Sequence, residues 1–161
     1  MENVRVLELY DLYSENVYKL AYTYTGNKAD SEDIVQNVFL KLLRPGIRIR
    51  EGREKAYILS MTANACKDLL RSQKKLSDKN YDDLADNDAS YELTAVENGL
   101  FNAVSSLPYK IRIVMYLFYY EGYSVKEIAG MLKISLSAVT MRLTRGREAL
   151  KNILSQEEHH D

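Results

Sequence analysis

Residues 76–91 (LSDKNYDDLADNDASY) interrupt an otherwise steady recurrence of apolar residues at helical spacing. This stretch has no sustained hydrophobic period, and it contains five Asp between positions 78 and 88. A segment of this composition has too little apolar surface to stabilise a fold of its own. The interruption therefore predicts two small domains joined by a flexible acidic linker. The predicted segments are a first domain at 1–75, the linker at 76–93, a second domain at 94–155 and a polar tail at 156–161.

The sequence on both sides of the linker predicts helices. No stretch alternates between apolar and polar residues as a half-buried strand would. The 161 residues include only 2 Pro and 7 Gly, too few turn formers for a many-stranded protein. We therefore predict an all-α fold with three helices before the linker and four after it. The apolar positions of the first helix are Leu7, Tyr10, Tyr13, Val17, Leu20, Ala21 and Tyr24.

Helix boundaries are predicted from residues with known capping chemistry. Gly26 ends the first helix, and Asp30 is expected to cap the second, which Pro45-Gly46 ends. After the linker, residues 124–127 (SVKE) form a capping box, and Ser135 is expected to cap the last helix.

Charge is distributed unevenly, although the whole chain carries a net charge of only −1. Residues 44–75 contain 9 basic and 3 acidic side chains, whereas residues 76–97 contain 1 basic and 7 acidic ones. Basic zones of this kind attract nucleic-acid phosphates. Solvated helix faces carry similar runs of charge, so the pattern alone leaves both interpretations open.

The residue types present point away from catalysis, cofactors and metals. The single cysteine, Cys66, and the two histidines, His159 and His160, form no ligand cluster, and there is no Gly-rich phosphate loop. The longest uncharged apolar run, residues 113–120, is far shorter than the roughly 18 residues of a membrane span. We therefore expect a cytoplasmic protein that is not an enzyme, holds no cofactor or metal and does not insert into a membrane. Cys66 is expected to be a small buried hydrophobe.

Residues 123–151 have the pattern of a helix-turn-helix motif. The apolar residues expected to hold its two helices together are Ile128, Ala129, Leu132, Ile134, Val139 and Leu143. The residues predicted to reach a DNA major groove, all in the first half of the second helix, are Ser137, Ala138, Thr140, Met141, Arg142 and Arg145. A helical hairpin with a solvated basic face is the alternative, but the caps and the basic run, which continues at Arg147 and Lys151, favour DNA binding.

Two separate stretches resemble one family in the same order. YYEGYSVKEIAGMLKISLSAVTMRLTRGREAL, preceded by Leu107-Pro108 and Arg112, is similar to the C-terminal domain of extracytoplasmic-function sigma factors. These proteins belong to the sigma-70 class of specificity subunits of bacterial RNA polymerase. DSEDIVQNVF resembles the family's polymerase-binding helix, and residues 57–71 resemble its helix for melting the minus-ten element. The resemblance covers residues 5–75 and 94–153. It implies an initiation factor that reads the minus-thirty-five duplex and melts the minus-ten element.

The third helix, predicted from about Glu54 to Lys74, is the one implied to meet minus-ten DNA. Residues implied by the resemblance to contact it, there and in the basic loop 46–53, are Tyr57, Asn64, Lys67, Arg71, Lys74, Arg48 and Arg50. The spacing of Asn64, Asp68 and Arg71 itself predicts one stripe opposite the apolar face, with Asp68 orienting a neighbour. An Asn amide can read an extruded base, and an aromatic ring can stack on one. Without the resemblance, a solvated helix side is the simpler interpretation.

The second helix is expected to face a protein, because its exposed side is mixed in character. The residues predicted to bind are Asp33, Gln36, Asn37, Leu40 and Lys41. By resemblance, the partner is the clamp coiled coil of the largest subunit of core RNA polymerase, and an anti-sigma factor is expected as a further partner. The alternative is a homodimeric helix-turn-helix regulator, for which the sequence shows no heptad that could form the dimer.

Three sites depart from the family pattern. Tyr57 stands where Trp is usual, which keeps an aromatic ring. Lys133 stands in the turn where Gly is common, so a non-glycine residue is expected to adopt that conformation. Thr140 and Met141 replace a frequent Lys-Ser pair, so the resemblance does not tell which promoter sequence this helix reads.

Overall fold

A computed structural model of the protein describes residues 1–77 and 103–158, with side chains over 1–73 and 103–156. The chain divides into two compact units, Met1–Asp78 and Lys79–Asp161. The elements are α1 (Asn3–Thr25), α2 (Lys28–Leu42), α3 (Glu54–Ser77), α4 (Tyr109–Met115), a π-helical turn (Tyr116–Tyr120), α5 (Val125–Leu132) and α6 (Leu136–Glu158). The described residues contain no strand, and the predicted all-α fold is confirmed. Most of the predicted linker and of the helix after it lies outside the described residues.

In the first unit, α1, α2 and α3 pack pairwise against one another. The largest of its fully buried side chains are Leu9, Val17, Leu20, Val38, Leu42, Ile58 and Leu59. Burying a side chain of this size is worth about 1.5–3 kcal/mol. This core fixes which faces of α2 and α3 point outward.

The first half of α1 turns a different face to the core from the one that the sequence predicts. Val6 and Leu9 are buried, whereas Leu7 and Tyr10 are 65% and 44% exposed. Apolar residues lie on several sides of this half of the helix, so its own periodicity does not select a face. Tyr10 still contributes to packing, because its ring meets that of Phe39 edge-on with the centroids 5.0 Å apart.

The prediction that Asp30 caps α2 is wrong. The N-cap is Asn27, whose Oδ1 accepts a hydrogen bond from the Asp30 N–H at 3.0 Å. Asp30 therefore lies in the first turn, where its carboxylate faces the positive end of the helix dipole. Its Oδ2 also accepts a hydrogen bond from Gln73 Nε2 at 3.2 Å, which ties the start of α2 to α3.

The helix ends agree with the predictions only where a capping residue next to the helix determines its end. Gly26 ends α1 in the left-handed conformation (φ 64°), and its N–H donates to the Tyr22 carbonyl at 2.8 Å. Elsewhere the helices end at other residues than expected. α2 ends at Leu42, before Pro45-Gly46, and α3 passes the predicted end at Lys74. Similarly, α6 extends into the predicted polar tail.

In the second unit, α4 leads into a π-helical turn that the sequence does not predict. Pro108 is the N-cap of α4. At the far end, the Glu121 N–H donates to the Tyr116 carbonyl at 3.1 Å, a bond that spans five residues. As a result, Leu117 is buried while Tyr119 is 56% exposed.

Arg112 is a buried cation that fixes the start of α4. The residue is only 6% exposed. Nη1 donates to the Ser105 carbonyl at 3.0 Å and to the Leu107 carbonyl at 2.9 Å. Ser105 is the last residue of the preceding helix and Leu107 lies in the turn before α4, so the guanidinium satisfies carbonyls that a helix end leaves without partners.

Two helical glycines of this unit should respond in opposite ways to Ala. A Cβ at Gly146 would lie 2.7 Å from Met115 Sδ and 3.0 Å from Ile111 Cγ2, whereas one at Gly130 would meet nothing within 4 Å. We expect Gly146→Ala to destabilise by about 1–2 kcal/mol, because overpacking outweighs helix propensity. We expect Gly130→Ala to stabilise by up to about 1 kcal/mol. Thermal melts followed by circular dichroism test this, and equal shifts of the same sign would contradict it.

Candidate nucleic-acid and polymerase interfaces

The predicted helix-turn-helix is formed by α5, a short turn and α6. Ser124 and Glu127 form the predicted capping box, with both side-chain-to-backbone hydrogen bonds at 3.1 Å. At the start of α6, Ser135 Oγ accepts a hydrogen bond from the Ala138 N–H at 3.0 Å. Both caps are confirmed, so the two helices begin where the sequence places them.

The turn between the two helices depends on Lys133. This residue has φ 57° and ψ 47°, the left-handed conformation predicted for it. Its N–H and that of Ile134 both donate to the Ala129 carbonyl, the latter at 3.0 Å. A non-glycine residue in this region costs about 1–3 kcal/mol, which the two hydrogen bonds and the packing around them offset.

The two helices of the motif pack against each other. Ile128 and Leu132 of α5 are buried, as are Val139 and Leu143 of α6. Ala129 is only 9% exposed, as expected of a small residue where the helices approach. This contact fixes the rotation of α6 about its own axis and so determines which of its residues face outward.

The outward face of α6 contains most of the predicted DNA-reading residues. Ser137, Thr140, Met141 and Arg145 are exposed. Ala138 and Arg142 were also expected to be exposed, but they are half-buried at the edge of this face. Because residues three and four apart share a helix face, Met141 lies between Ser137 and Arg145 at its centre.

Arg147 does not belong to the outward face. It donates a hydrogen bond to the Tyr119 hydroxyl. Its guanidinium lies 5.6 Å from the centre of the Tyr119 ring and 5.7 Å from that of Phe118. The basic run of α6 is therefore divided, because Arg145 points outward while Arg147 holds α6 to the π-helical turn by cation–π contacts. This division could not be predicted from the sequence, because the π-helical turn itself is not predicted.

The outward stripe of α3 is longer than the sequence predicts. Asp68 and Arg71 are exposed and Asn64 is half-buried, and Tyr57 is 37% exposed. Tyr57 lies seven residues before Asn64 and thus on the same side of the helix, opposite buried Ile58 and Leu59. Tyr57 therefore does not belong to the apolar side of this helix.

Asp68 does not orient its neighbours. In the described part of the chain it makes no hydrogen bond or ion pair with Asn64 or Arg71. The Asn64 amide is therefore not committed to a side chain of the same stripe. Lys67 is half-buried beside the stripe, and the side chain of Lys74 lies outside the described residues.

The basic loop before α3 presents its arginines to solvent. Arg48 and Arg50 are exposed, and they alternate with half-buried Ile47 and Ile49 in a stretch that is neither helix nor strand. The negative charge of Glu54, the first residue of α3 after this loop, is stabilised by its neighbours. A hydrogen bond from its own backbone N–H, together with the nearby Arg5 guanidinium at 3.3 Å, lowers the pKa of its carboxyl.

The outward face of α2 has an apolar centre with polar neighbours. Leu40 is 60% exposed, and Asp33, Gln36 and Asn37 are exposed around it. Lys41 is half-buried at the edge. Leu43, one turn beyond Leu40 and 40% exposed, extends the apolar area. Leu43 was not among the residues predicted from the sequence, although its spacing of three residues from Leu40 could have indicated it.

The described residues contain no group of three or more His, Cys, Asp or Glu side chains that could hold a metal ion. Cys66 is fully buried, and this burial raises the pKa of its thiol far above the ordinary value. No described helix combines the length and the apolar character that crossing a membrane requires.

Comparison with known families identifies both units. The family model described as Sigma-70 region 2 matches residues 9–76, and that described as Sigma-70, region 4 matches residues 98–150. The RNA polymerase sigma factor CarQ of Myxococcus xanthus is 30% identical over 81% of this chain and 78% of its own length. The ECF RNA polymerase sigma factor SigX of Bacillus subtilis is 27% identical over 89% of this chain and 80% of its own length. This chain is an extracytoplasmic-function sigma factor of the sigma-70 family.

The sigma factor also resembles longer relatives and solved structures. The ECF RNA polymerase sigma factor SigE of Mycolicibacterium smegmatis is 29% identical over 92% of this chain. The match covers only 61% of the length of SigE. A Bartonella quintana structure of the sigma factor RpoE with the anti-sigma factor NepR shares its fold at a TM-score of 0.67 and 18% identity, covering 91% of this chain and 94% of that one. The structure of CnrH in complex with the cytosolic domain of CnrY has a TM-score of 0.62 and 19% identity, and the match covers 96% of this chain and 90% of that one.

Membership of this family decides between the two functions that the sequence left open. Because region 2 matches the first unit and region 4 the second, the chain is a transcription initiation factor that directs RNA polymerase, and it binds the core enzyme and promoter DNA. A self-contained homodimeric regulator is not favoured. Sigma factors are in general non-enzymatic regulators of transcription.

Proposed function

We propose that this sigma factor binds core polymerase through α2, reads the minus-thirty-five duplex through α6, and opens the minus-ten element through α3 and the loop before it. The observation that supports it best is the exposed stripe of α3, which combines an aromatic ring (Tyr57), an amide (Asn64) and a cation (Arg71). A helix-turn-helix alone would suit any reader of duplex DNA. A stacking plane beside an amide and a cation suits unpaired bases and single-strand phosphate.

The α2 surface has the composition of a protein interface. Its centre is the exposed side chain of Leu40, and its rim consists of Asp33, Gln36 and Asn37. An apolar centre with a polar rim is the usual arrangement where two proteins meet, whereas DNA phosphates require cations. We assign this surface to the clamp coiled coil of the largest polymerase subunit.

The factor is proposed to supply no chemistry of its own and to act in the cytoplasm, where core polymerase works. An anti-sigma factor is proposed as a further partner. This proposal is supported by the two similar structures, which are described as complexes with NepR and with the cytosolic domain of CnrY. Such a partner would compete with polymerase for the exposed face of α2.

Run-off transcription tests the proposed function as a whole. The full chain is mixed with purified core polymerase and fragments of genomic DNA, and the transcripts are mapped. We expect defined start sites that appear only when chain and core enzyme are both present. Sequence-specific binding of duplex DNA by the chain alone, without any effect on transcription, would contradict the proposal.

Arg145 gives a test of the minus-thirty-five contact. Arg145→Ala should weaken holoenzyme binding to that element about tenfold, within the 1–3 kcal/mol expected of a bidentate guanine contact. Arg145→Lys is the matched variant, because Lys keeps the charge but loses the planar fork. If Arg145 reads a base, both variants lose sequence discrimination. If Arg145→Lys binds normally, and Arg145→Ala reduces the slope of log affinity against log salt concentration by about one, Arg145 contacts phosphate instead. Unchanged binding by both variants would contradict the assignment.

A further inference from the structure

The exposed threonines of α6 use their hydroxyl hydrogens inside the helix. Thr140 Oγ1 donates to the Leu136 carbonyl at 3.0 Å, and Thr144 Oγ1 donates to the Thr140 carbonyl at 3.0 Å. A hydroxyl has only one hydrogen to donate. These side chains therefore present to an outside partner a methyl group and an oxygen that can only accept.

Met141 adds a larger apolar side chain to the same surface. It is 46% exposed and lies at the centre of the outward face of α6. It follows Thr140 directly, and Thr144 lies one turn further on the same face. A thioether donates no hydrogen bond and adapts its shape readily. The three side chains together form an apolar strip (Thr140, Met141 and Thr144) where many DNA-reading helices have donors.

The major groove offers one apolar group to such a strip. Guanine, adenine and cytosine present polar edges there, whereas thymine also presents its C5-methyl group. Covering guanine N7 and O6 would leave two acceptors without a donor, at a cost of about 1–3 kcal/mol. Adenine and cytosine can donate an amino hydrogen to a threonine oxygen, but neither has a methyl group for Met141 to contact. The chemistry of the strip therefore favours thymine over the other bases.

We propose that the apolar strip determines promoter specificity by reading thymine C5-methyl groups in the minus-thirty-five element. The inference rests on the proposed role of α6 in binding that element. Arg145, one turn beyond Met141, lies next to the strip and is exposed. The Arg145 guanidinium contacts the base pair at one end of the recognised sequence, and the strip contacts the base pairs next to it.

The thymine methyl groups can be removed one at a time. Holoenzyme first selects duplexes from a library with a randomised minus-thirty-five element and a fixed minus-ten element. Uracil, which lacks the methyl group, then replaces each thymine of the selected duplex. We expect thymine to be enriched, and each contacted methyl that is removed to weaken binding about fourfold, the equivalent of about 0.8 kcal/mol per buried carbon. Uracil placed in the spacer should have no effect.

Three variants assign the effect to the strip. Met141→Ala should bind the thymine and uracil duplexes almost equally. Thr140→Val keeps the methyl group without the hydroxyl and should retain the thymine preference, whereas Thr140→Ser keeps the hydroxyl without the methyl and should lose part of it.

The outcomes separate this inference from the function on which it rests. Selection of a minus-thirty-five sequence that is insensitive to uracil, or loss of binding in Thr140→Val but not in Thr140→Ser, would overturn the methyl reading alone. A holoenzyme that selects no minus-thirty-five sequence would overturn the proposed role of α6.

Discussion

Leu40→Asp should weaken binding to core RNA polymerase by at least about a hundredfold. Leu40 is the apolar centre of the α2 surface, and truncating a central interface residue costs about 2 kcal/mol or more. A carboxylate in its place would be buried without a partner, at a further cost of several kcal/mol. The fold should tolerate the change, because the side chain is 60% exposed in the free protein. Titration of labelled protein with purified core polymerase measures the effect.

The chain offers a closely matched control on another helix. Leu12 of α1 is 61% exposed, so Leu12→Asp introduces the same charge at the same exposure outside the proposed interface. We expect Leu12→Asp to bind core polymerase like the unaltered protein, and both variants to melt within a few degrees of it. Equal binding by the two variants, or a loss only in Leu12→Asp, would show that the interface is not on α2.

Asn64→Ala should lower the rate of open-complex formation by about a hundredfold while leaving polymerase binding unchanged. The amide is proposed to hydrogen-bond an extruded minus-ten base, and such contacts offset the few kcal/mol that base extrusion costs. Asn64 has no hydrogen-bond partner among the described residues, so its removal leaves no buried group unsatisfied. Ala is also the better helix former. Permanganate footprinting of unpaired thymines follows promoter opening directly.

A template with mismatched minus-ten bases separates melting from binding. It no longer requires strand separation, so it should restore much of the activity of Asn64→Ala. Asn152→Ala, which changes an exposed Asn near the end of α6, is the control and should open the paired template normally. If Asn64→Ala instead lowers the melting temperature or abolishes polymerase binding, Asn64 is a structural residue of the first unit.

Sequence alone predicted those features that depend on neighbours within one helical turn. The Ser124–Glu127 capping box, the Ser135 cap and the left-handed Lys133 all involve residues no more than four apart. Their chemistry is therefore visible in the sequence. The roles given to the exposed residues of α3 came from the family resemblance, because a polar stripe of this kind has the same pattern whether it touches DNA or water.

The predictions from sequence were wrong where packing between helices determines the local structure. Asn27 and Asp30 are both good caps, and the contact of Asp30 with Gln73, 43 residues away, belongs to the arrangement in which Asn27 is the cap. The face of α1 that meets α2 and α3 is selected in the same way. Arg147 could not be placed because its aromatic partners are brought to it by an unpredicted π-helical turn.

The division of the chain at Asp78 has a consequence for the order in which its surfaces form during synthesis. The helices that build the first unit all precede this residue, and they are close neighbours along the chain, which favours rapid folding. Translation at about 5–20 residues per second would complete this unit several seconds before the last residue of α6 is made. A nascent chain still attached to the ribosome would thus already display Leu40 and its neighbours, and could be captured by polymerase or by an inhibitor before α6 exists.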